Sequence, residues 1–405
     1  ESIRPILVNS WEAAYFDFDG DTLYELAKEA KNVGIDMLVL DDGWFGKRDD
    51  DNSGLGDWFV NEKKLGGTLG SLIQKINDLG VKFGIWIEPE MISEDSDLYR
   101  EHPDWALTIP GRNPVHARNQ LVLDFSRKEV VDHIFDQICK VLDQGNIEYV
   151  KWDMNRSLMD VFSRGTKDQG RVMYDYVIGL YDFLERIVTR YPDLLIEGCS
   201  GGGGRFDAGM MYYTPQIWCS DNTDALDRLQ IQYGTSFGYP ISAVGSHVSA
   251  VPNHQTGRST SLHTRGVVAM AGTFGYELDL SKMTDEEKKM AGEQIAFFKE
   301  HGRLFQFGDY YRLTSPFENR DYTVWEYAAQ DGSEACMSVV YTDMYANAAS
   351  EIVKWKGLDP KKVYQMQLDG EDAGNFSGAA LMHAGILLPL PEQNYDAFQI
   401  YLKAE

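Results

Sequence analysis

Two aspartates, Asp153 and Asp221, each stand at the end of an apolar run and could together cleave a bond between two sugars. Glycoside hydrolysis needs two carboxyl groups flanking one carbon, about 5–5.5 Å apart where a covalent intermediate forms. Lys151 precedes Asp153 by two residues, so both side chains face the same side of a strand. A cation there would keep Asp153 ionised for nucleophilic attack, and Asp221 would donate the proton. The alternative is a structural aspartate bonded to Lys151.

Further polar and aromatic side chains stand at the ends of other apolar runs. A tryptophan ring can stack on the apolar face of a pyranose, while carboxylates accept hydrogen bonds from its hydroxyls. Singly, each has an ordinary explanation as a helix cap or a core ring, but their concentration favours a sugar site. These residues are Trp11, Asp41, Asp42, Trp86, Glu88, Glu90, Arg118, Asp124, Asn155, Cys199, Trp218 and His247. Four glycines also follow Cys199, which indicates that another group lies close to the backbone of 199–204.

Eight apolar runs alternating with helical patterns must position these side chains. Near-continuous apolar strands joined by helices indicate a parallel sheet buried on both faces. Eight of them predict a (β/α)8 TIM barrel, in which functional residues lie at the carboxyl ends of the strands. The alternative is a doubly wound open sheet, although no Gly-x-Gly-x-x-Gly follows the first strand. The predicted strands are 5–11, 37–42, 82–90, 120–126, 149–154, 194–200, 216–221 and 241–249, and the predicted helices include 20–33, 68–79, 127–143, 172–190 and 224–236.

The character of the sequence changes near residue 309. Segments such as "YTVWEYAAQ" and "EACMSVVYT" are short, aromatic and rich in β-formers, with turn residues between them. We therefore predict two domains: a catalytic barrel over 1–308 and a C-terminal antiparallel β-sandwich over 309–405.

Composition limits the partners of this 405-residue chain. Its formal net charge of −25 argues against nucleic acid and against an anionic membrane surface, and no apolar run is long enough for a membrane span. The four cysteines lack paired or zinc-like spacing, so we expect free thiols in a reducing compartment and a cytoplasmic location. The start at "ESIRPILVNSW", without Met or signal peptide, leads us to expect that the chain is cut from a longer protein.

Two sequence features suggest metal binding but fit it poorly. "DDDNSG" (49–54) resembles the start of a calcium loop, yet the twelfth position is Val60 instead of glutamate. His247 and His254 lack helical spacing and a third partner. We therefore expect no metal and no organic cofactor.

Six segments together resemble the bacterial α-galactosidases of glycoside hydrolase family 36. They occur in the family's order and cover the whole predicted barrel. The segments are "LVLDDGWFG" (38–46), "GIWIEPEM" (84–91), "RNQLVLDFS" (118–126), "YVKWDMNR" (149–156), "EGCSGGGGRFD" (197–207) and "WCSDNTDALDRLQIQYGTSFGYP" (218–240). The chain departs from the family in starting at the first barrel strand, where members carry a large N-terminal β-sandwich.

The resemblance implies a retaining exo-α-galactosidase with Asp153 as nucleophile and Asp221 as acid/base. It implies small substrates such as melibiose and raffinose, and we expect a homo-oligomer for the full-length protein. The segment after Cys199 would press against galactose near its 2-hydroxyl. Alternatives are an α-N-acetylgalactosaminidase, a galactosyl transferase of the same superfamily or a non-catalytic galactoside-binding protein. The sugar-binding positions implied are Trp11, Asp41, Asp42, Trp86, Arg118, Lys151, Asn155, Cys199, Gly202 and Trp218.

Overall fold

The computed structural model describes residues 3–347 and 349–405. The fold is an eight-stranded parallel α/β barrel followed by an antiparallel β-domain, which confirms the predicted fold class. The barrel strands are β1 (Leu7–Asn9), β2 (Met37–Leu40), β3 (Lys82–Ile87), β4 (Ile147–Trp152), β5 (Leu195–Gly198), β6 (Gln216–Ile217), β7 (Gly245–Ser249) and β8 (Thr273–Glu277).

Residues 7–221 and 277–282 form one compact unit, called unit A. Its strands lie in the order β6-β5-β4-β3-β2-β1. Lys151 of β4 is in register with Trp86 of β3 and with Glu197 of β5, so the carboxyl ends of these strands lie side by side. The α-helices of unit A are Trp11–Ala14, Gly20–Val33, Glu62–Leu65, Leu69–Asp78, Asp97–Glu101, Lys128–Leu142, Val172–Arg190 and Ala208–Tyr213, and its 3₁₀ turns are Pro103–Trp105, Gln169–Arg171 and Leu280–Lys282.

The helices of unit A match the sequence pattern closely because apolar spacing and caps agree. In Gly20–Val33 the Asp19 side chain accepts from the Thr22 amide, and Gly34 ends the helix at φ 95°. Its apolar residues, among them Leu23 and Ala30, are buried. This face packs towards the sheet and fixes the strand ends that carry the polar residues.

One predicted barrel strand is wrong. In the segment 120–126 only Leu121–Val122 is extended, and it pairs antiparallel with Met91–Ile92 outside the barrel. The segment is apolar because it is buried, not because it belongs to the parallel sheet. The missing strand is β8, whose sequence "TFGYE" is interrupted by glycine and was not predicted. The predicted number of eight barrel strands is therefore correct, but it wrongly includes the segment 120–126 and omits β8.

The remaining described residues, up to Ile6 and over 222–276 and 283–405, form unit B. It contains β7 and most of β8. Its C-terminal part contains a six-stranded antiparallel sheet and a two-stranded pair of Ile352–Val353 with Ile386–Leu387. The strands of the larger sheet are β9 (Asp309–Arg312), β10 (Tyr322–Ala328), β11 (Glu334–Tyr341), β12 (Val363–Leu368), β13 (Glu371–Ser377) and β14 (Ala397–Ala404). They lie in the order β9-β10-β11-β14-β12-β13. The α-helices of unit B are Ala225–Thr235, Leu262–Ala269, Asp285–Glu300, Gly302–Phe307 and Gly378–His383, with a 3₁₀ turn at Ile241–Ala243.

Buried side chains from both sheets form one core in the C-terminal part. Met337 of β11 and Leu402 of β14 contribute from the six-stranded sheet, and Val353 contributes from the two-stranded pair. Two sheets packed on a shared apolar core give the predicted sandwich arrangement. The domain boundary at 308/309 stays a prediction. Within the described ranges, every helix is too short or too polar to cross a bilayer.

Candidate active site

Asp153 directly follows β4 and is surrounded by hydrogen-bond donors. The Trp86 Nε1–H donates to its Oδ2 over 3.1 Å, and the Asn155 amide donates to the same oxygen over 2.9 Å. The backbone amides of Met154 and Gly201 donate to Oδ1 over 2.8 and 3.3 Å. Four donors stabilise a carboxylate and fix both of its oxygens. This geometry suits a nucleophile that must stay ionised and aimed.

The glycine run forms a tight turn that links Asp153 to the segment ending in Asp221. Ser200 and Gly203 form a bridge, and Gly202 lies at φ 84° between them. A β carbon on Gly202 would lie 2.8 Å from the Asp221 amide nitrogen, and one on Gly203 would collide with the Cys219 carbonyl. The resemblance explained these glycines by a nearby sugar. In this structure they are required by the backbone of residues 219–221.

Asp221 lies beyond β6, two barrel strands from Asp153. Trp218 donates through Nε1–H to its Oδ1 over 2.9 Å. The residue Asp221 is exposed to solvent on one side, while its carboxyl group is largely surrounded by protein atoms. This burial raises the pKa of Asp221; Lys151 opposes the shift, and the charges of Asp153 and Glu277 add to it. A carboxyl group with a raised pKa holds a proton in the pH range where an acid catalyst needs one.

Lys151 is bonded to Asp41 and not to Asp153, which argues against the alternative of a structural aspartate bonded to Lys151. Its Nζ lies 2.9 Å from Asp41 Oδ2, and both side chains are buried. Burial opposes the charge of Lys151, but Asp41 and Glu277 outweigh it and hold its pKa well above the ordinary value. Asp41 also accepts from Asn9 Nδ2 over 2.8 Å. The lysine therefore remains a cation in the pocket and orients Asp41.

Asp42 forms a second buried ion pair, with Arg48. The guanidinium contacts both carboxylate oxygens, the shortest distance being 2.7 Å. Burial raises the pKa of Asp42, while Arg48 opposes that shift. Gly43 follows at φ 106°, which supplies the turn that the adjacent aspartates require. Asp41 and Asp42 are thereby both buried at the end of β2, as the sequence predicts.

The other predicted positions are Trp86, Asn155, Cys199, Trp218, Trp11 and Arg118. Trp86, Asn155, Cys199 and Trp218 lie around Asp153 and Asp221, and the Lys151 Nζ lies 5.7 Å from the Trp218 ring centre. Burial raises the pKa of the Cys199 thiol well above its ordinary value. Trp11 begins a short helix after β1 and is half-buried.

Arg118 differs from these positions. It lies exposed in a turn between Ala117 and Gln120, at φ 54°, and forms no ion pair with any described residue. The structure therefore does not join Arg118 directly to the two carboxyl groups.

Four further charged residues belong to the site. Arg48, Glu88 and Glu90 are buried and Arg205 is half-buried. The sequence pointed to Glu88 and Glu90 as part of a sugar site, but not to Arg48 or Arg205. Arg205, just after the glycine run, contacts both oxygens of Glu90 over 2.8 and 2.9 Å. Glu90 also accepts from Trp152 Nε1–H over 2.9 Å and from the Tyr176 hydroxyl over 2.6 Å. Glu88 and Glu90 stand in the sequence at the end of the third predicted strand, but nothing in that pattern shows which partners they meet. Among the described residues, no group of three His, Cys, Asp or Glu side chains is arranged to hold a metal ion.

Comparisons with known proteins show which family the sequence resembles. The melibiase family model matches residues 1–308, and the model of the glycosyl hydrolase family 36 C-terminal domain matches residues 322–402. A bifunctional α-galactosidase/sucrose kinase from Mediterraneibacter gnavus is 62% identical over 98% of this chain and 41% of its own length. The α-galactosidase AgaA from Geobacillus stearothermophilus is 50% identical over 99% of this chain and 55% of its own length.

Solved structures give the same match. The crystal structure of AgaA superimposes with a TM-score of 0.97 at 50% identity, covering 100% of this chain and 56% of that one. A variant of AgaA in complex with raffinose superimposes with a TM-score of 0.96 at 49% identity, over 100% of this chain and 56% of that one. The chain spans about half the length of these relatives.

Proposed function

The chain belongs to glycoside hydrolase family 36, and from this premise we propose that it is a retaining exo-α-galactosidase. It hydrolyses terminal non-reducing α-galactosyl residues of oligosaccharides such as melibiose and raffinose. The observation that carries the proposal is the pairing of two unlike carboxyl groups, Asp153 among four donors and Asp221 with a raised pKa. One group is suited to attack and the other to donate a proton.

The reaction proceeds in two steps. In the first, an Asp153 oxygen forms a bond to the anomeric carbon while the bond to the leaving oxygen breaks, and Asp221 gives that oxygen its proton. In the second, Asp221 takes a proton from water, the water oxygen attacks the anomeric carbon, and the bond to Asp153 breaks. Two displacements return the original anomeric configuration.

The pocket around the two carboxyl groups would hold the galactosyl ring. Asp41 and Asp42 accept from its 4- and 6-hydroxyls, the rings of Trp11, Trp86 and Trp218 pack against its apolar parts, and Cys199 lies near its 2-hydroxyl. Lys151 supports this arrangement by holding Asp41 in place. Arg118 and Asn155 complete the proposed contacts, with Gly202 allowing the close approach of residues 219–221.

We also propose a cytoplasmic location for the protein. The four cysteines are free, which fits a reducing cytoplasm. We further propose that the full-length protein is a homo-oligomer. Size measurement of that protein in solution tests the assembly.

One assay separates this function from its alternatives. Nitrophenyl α-galactoside should be hydrolysed, with release of α-galactose first, while the α-N-acetylgalactosaminide and the α-glucoside should react very slowly. Faster reaction of the N-acetyl substrate would favour an α-N-acetylgalactosaminidase. Transfer to added sugar in place of hydrolysis would favour a transferase, and binding without turnover would favour a galactoside-binding protein.

A further inference from the structure

Glu88 occupies a junction between two parts of the site. It follows β3 directly and its side chain is fully buried. One carboxyl oxygen, Oε1, accepts from the Gln120 side chain over 2.6 Å and from the backbone amide of Asn155. The other oxygen, Oε2, accepts from the Asn155 side chain over 3.1 Å. Glu88 therefore contacts the loop after β4 and the turn that precedes the Leu121–Val122 strand.

The contact with Asn155 leads to the nucleophile. The same Nδ2 that donates to Glu88 also donates to Asp153 Oδ2 over 2.9 Å. One amide group thus bridges two carboxyl groups, and its orientation depends on an acceptor at Glu88. If that acceptor became a donor, the Asn155 amide would turn over, and its oxygen would face the Asp153 carboxylate.

The contact with Gln120 leads to Arg118. Gln120 is buried and closes the two-residue turn on which Arg118 stands. Its carbonyl also accepts from Arg156 over 2.8 Å, and Arg156 adjoins Asn155 in the chain. The turn is therefore tied to the nucleophile loop both through Glu88 and through Arg156.

Burial and the neighbouring charges act on the ionisation of Glu88 in opposite directions. Burial, followed by the charge of Asp153, raises the pKa of Glu88 to about 8, against the opposing hydrogen bonds of Asn155 and the charge of Arg48. The charged groups that face it are thus Asp153, after β4, and Arg48, in the loop after β2. The hydrogen bonds from Asn155 lower this pKa and so favour the ionised form, in which both oxygens of Glu88 are acceptors.

We propose that Glu88 is a positioning residue that holds Asn155 against Asp153 and at the same time anchors the Arg118 turn through Gln120. The proposal rests on the proposed galactosidase function and deepens it. It assigns separate effects to the two contacts: the Asn155 contact affects the chemical step, and the Gln120 contact affects sugar binding.

The decisive test is a double-mutant cycle with nitrophenyl α-galactoside as substrate. Glu88→Gln places an N–H against Asn155 and should lower kcat about 10²-fold, the order expected for a displaced catalytic group. Because Glu88 acts through Asn155, the double variant Glu88→Gln/Asn155→Ala should be no slower than Asn155→Ala alone. Gln120→Ala should instead raise KM with little loss of kcat. Additive losses in the cycle, or an unchanged kcat in Glu88→Gln, would overturn the proposal.

Glu326 provides the matched control. It is also fully buried, and burial raises its pKa to about 8, but it lies on β10 in unit B. Glu326→Gln makes the same chemical change there and should leave kcat and KM unaltered. A similar loss in both variants would mean that any buried glutamate substitution impairs the protein, and would contradict the proposal.

A second measurement does not depend on turnover or on the folding of Glu88 variants. In protein labelled with ¹³C at glutamate carboxyls, one signal should titrate near pH 8 in addition to that of Glu326, which the Glu326→Gln protein identifies. Its midpoint should fall in Asp153→Asn, because the neighbouring negative charge is gone. A midpoint that does not move would separate Glu88 from the nucleophile and refute the inference. Absence of hydrolysis by the unaltered protein with these titrations intact would instead count against the galactosidase function.

Discussion

Gly202 lies so close to Asp221 that a β carbon at position 202 would come within 2.8 Å of the Asp221 amide nitrogen. The neighbouring Gly201 donates its amide hydrogen to Asp153. A single glycine turn therefore contacts the proposed nucleophile on one side and the segment of the proposed acid on the other. The separation of the two carboxyl groups depends on this turn.

Substitution of Gly202 tests that dependence. Gly202→Ala must either displace residues 220–221 or open the turn, because the β carbon cannot be accommodated and the residue sits at φ 84°. A displacement of about 1 Å can reduce a rate about 10²-fold. We expect such a loss in kcat/KM for nitrophenyl α-galactoside, with a smaller effect on thermal stability.

Gly66 serves as the control that distinguishes the effect of backbone strain from the effect of a steric clash. It has a similar positive φ of 67°, but nothing lies within 4 Å of where the β carbon of an alanine would stand. Gly66→Ala should lower the unfolding temperature slightly and preserve kcat/KM. Equal kinetic losses in both variants would show that strain alone, and not contact with Asp221, explains the effect.

Asp153 should be the site of the covalent intermediate. Asp153→Ala removes the attacking oxygen, so we expect hydrolysis to fall to the background of the assay. A galactosyl fluoride that reacts quickly and deglycosylates slowly should add one galactosyl group to the protein, located on Asp153 by mass spectrometry of peptides. A label on Asp221, Asp41 or Asp42 would contradict the assignment.

Asp221 should control the reaction through leaving-group protonation and pH. Asp221→Ala should impair melibiose far more than nitrophenyl α-galactoside, since only the poorer leaving group needs a proton. Burial raises the pKa of Asp221, so the acid stays protonated to higher pH than an exposed aspartate, and activity should decline as pH rises through that pKa. In the unaltered protein this alkaline decline should be steeper with melibiose than with nitrophenyl α-galactoside, which does not need the proton. Proportionate losses for both substrates would argue against the role.

The sequence predicts the polar residues of the site better than their partners. Helix caps and apolar spacing are local, so helices such as Val172–Arg190 could be placed to the residue. The pairing of Lys151 with Asp41 depends on β2 and β4 lying on either side of β3, although the two residues are 110 positions apart in the chain. The spacing of two residues shows only that Lys151 and Asp153 face the same side of one strand, and it contains no information about Asp41.

For two β-segments the sequence pattern does not predict the observed structure. The run 120–126 is apolar because it is buried outside the barrel sheet, and an apolar run is typical of any buried strand. The edge strand β13, "EDAGNFS", carries mostly exposed residues and has no apolar alternation, so nothing in its sequence predicted a strand. In both cases pairing with another strand decided the structure: Leu121–Val122 pairs with Met91–Ile92, and β13 pairs with β12 across a tight hairpin.

Glu326 should make the protein less stable as pH rises. Burial raises its pKa from 4.5 to about 8, so between these values the folded form holds a proton that the unfolded form has released. Stability then falls with increasing pH, by up to about 1.4 kcal/mol per pH unit. Glu326→Gln should flatten the decline between about pH 5 and 8 in urea unfolding, whereas Glu371→Gln, on an exposed residue of β13, should leave it unchanged. An identical slope in all three proteins would show that Glu326 does not contribute.

Asp41 and Asp42 should determine the preference for galactose over glucose. Both carboxylates are buried at the end of β2 and are held in place by Lys151 and Arg48. We propose that they accept from the axial 4-hydroxyl and the 6-hydroxyl. A site with fixed buried acceptors rejects a sugar that misplaces a hydroxyl, by up to about 10⁴-fold. Asp41→Asn and Asp42→Asn should each lower kcat/KM for α-galactosides and narrow the ratio between nitrophenyl α-galactoside and α-glucoside.

The ratio of the two substrates is the informative quantity, because partial unfolding lowers both rates equally. Asp57→Asn gives the matched control: Asp57 is also buried in unit A, but its carboxylate accepts from the backbone amides of Asp97 and Leu98 at the start of a helix. Its substitution should reduce stability and preserve the ratio. Asp41→Asn and Asp42→Asn could instead lose activity while keeping the ratio of α-galactoside to α-glucoside hydrolysis that the unaltered protein has. In that case the two aspartates would support the pocket but would not distinguish the 4-hydroxyl of galactose from that of glucose.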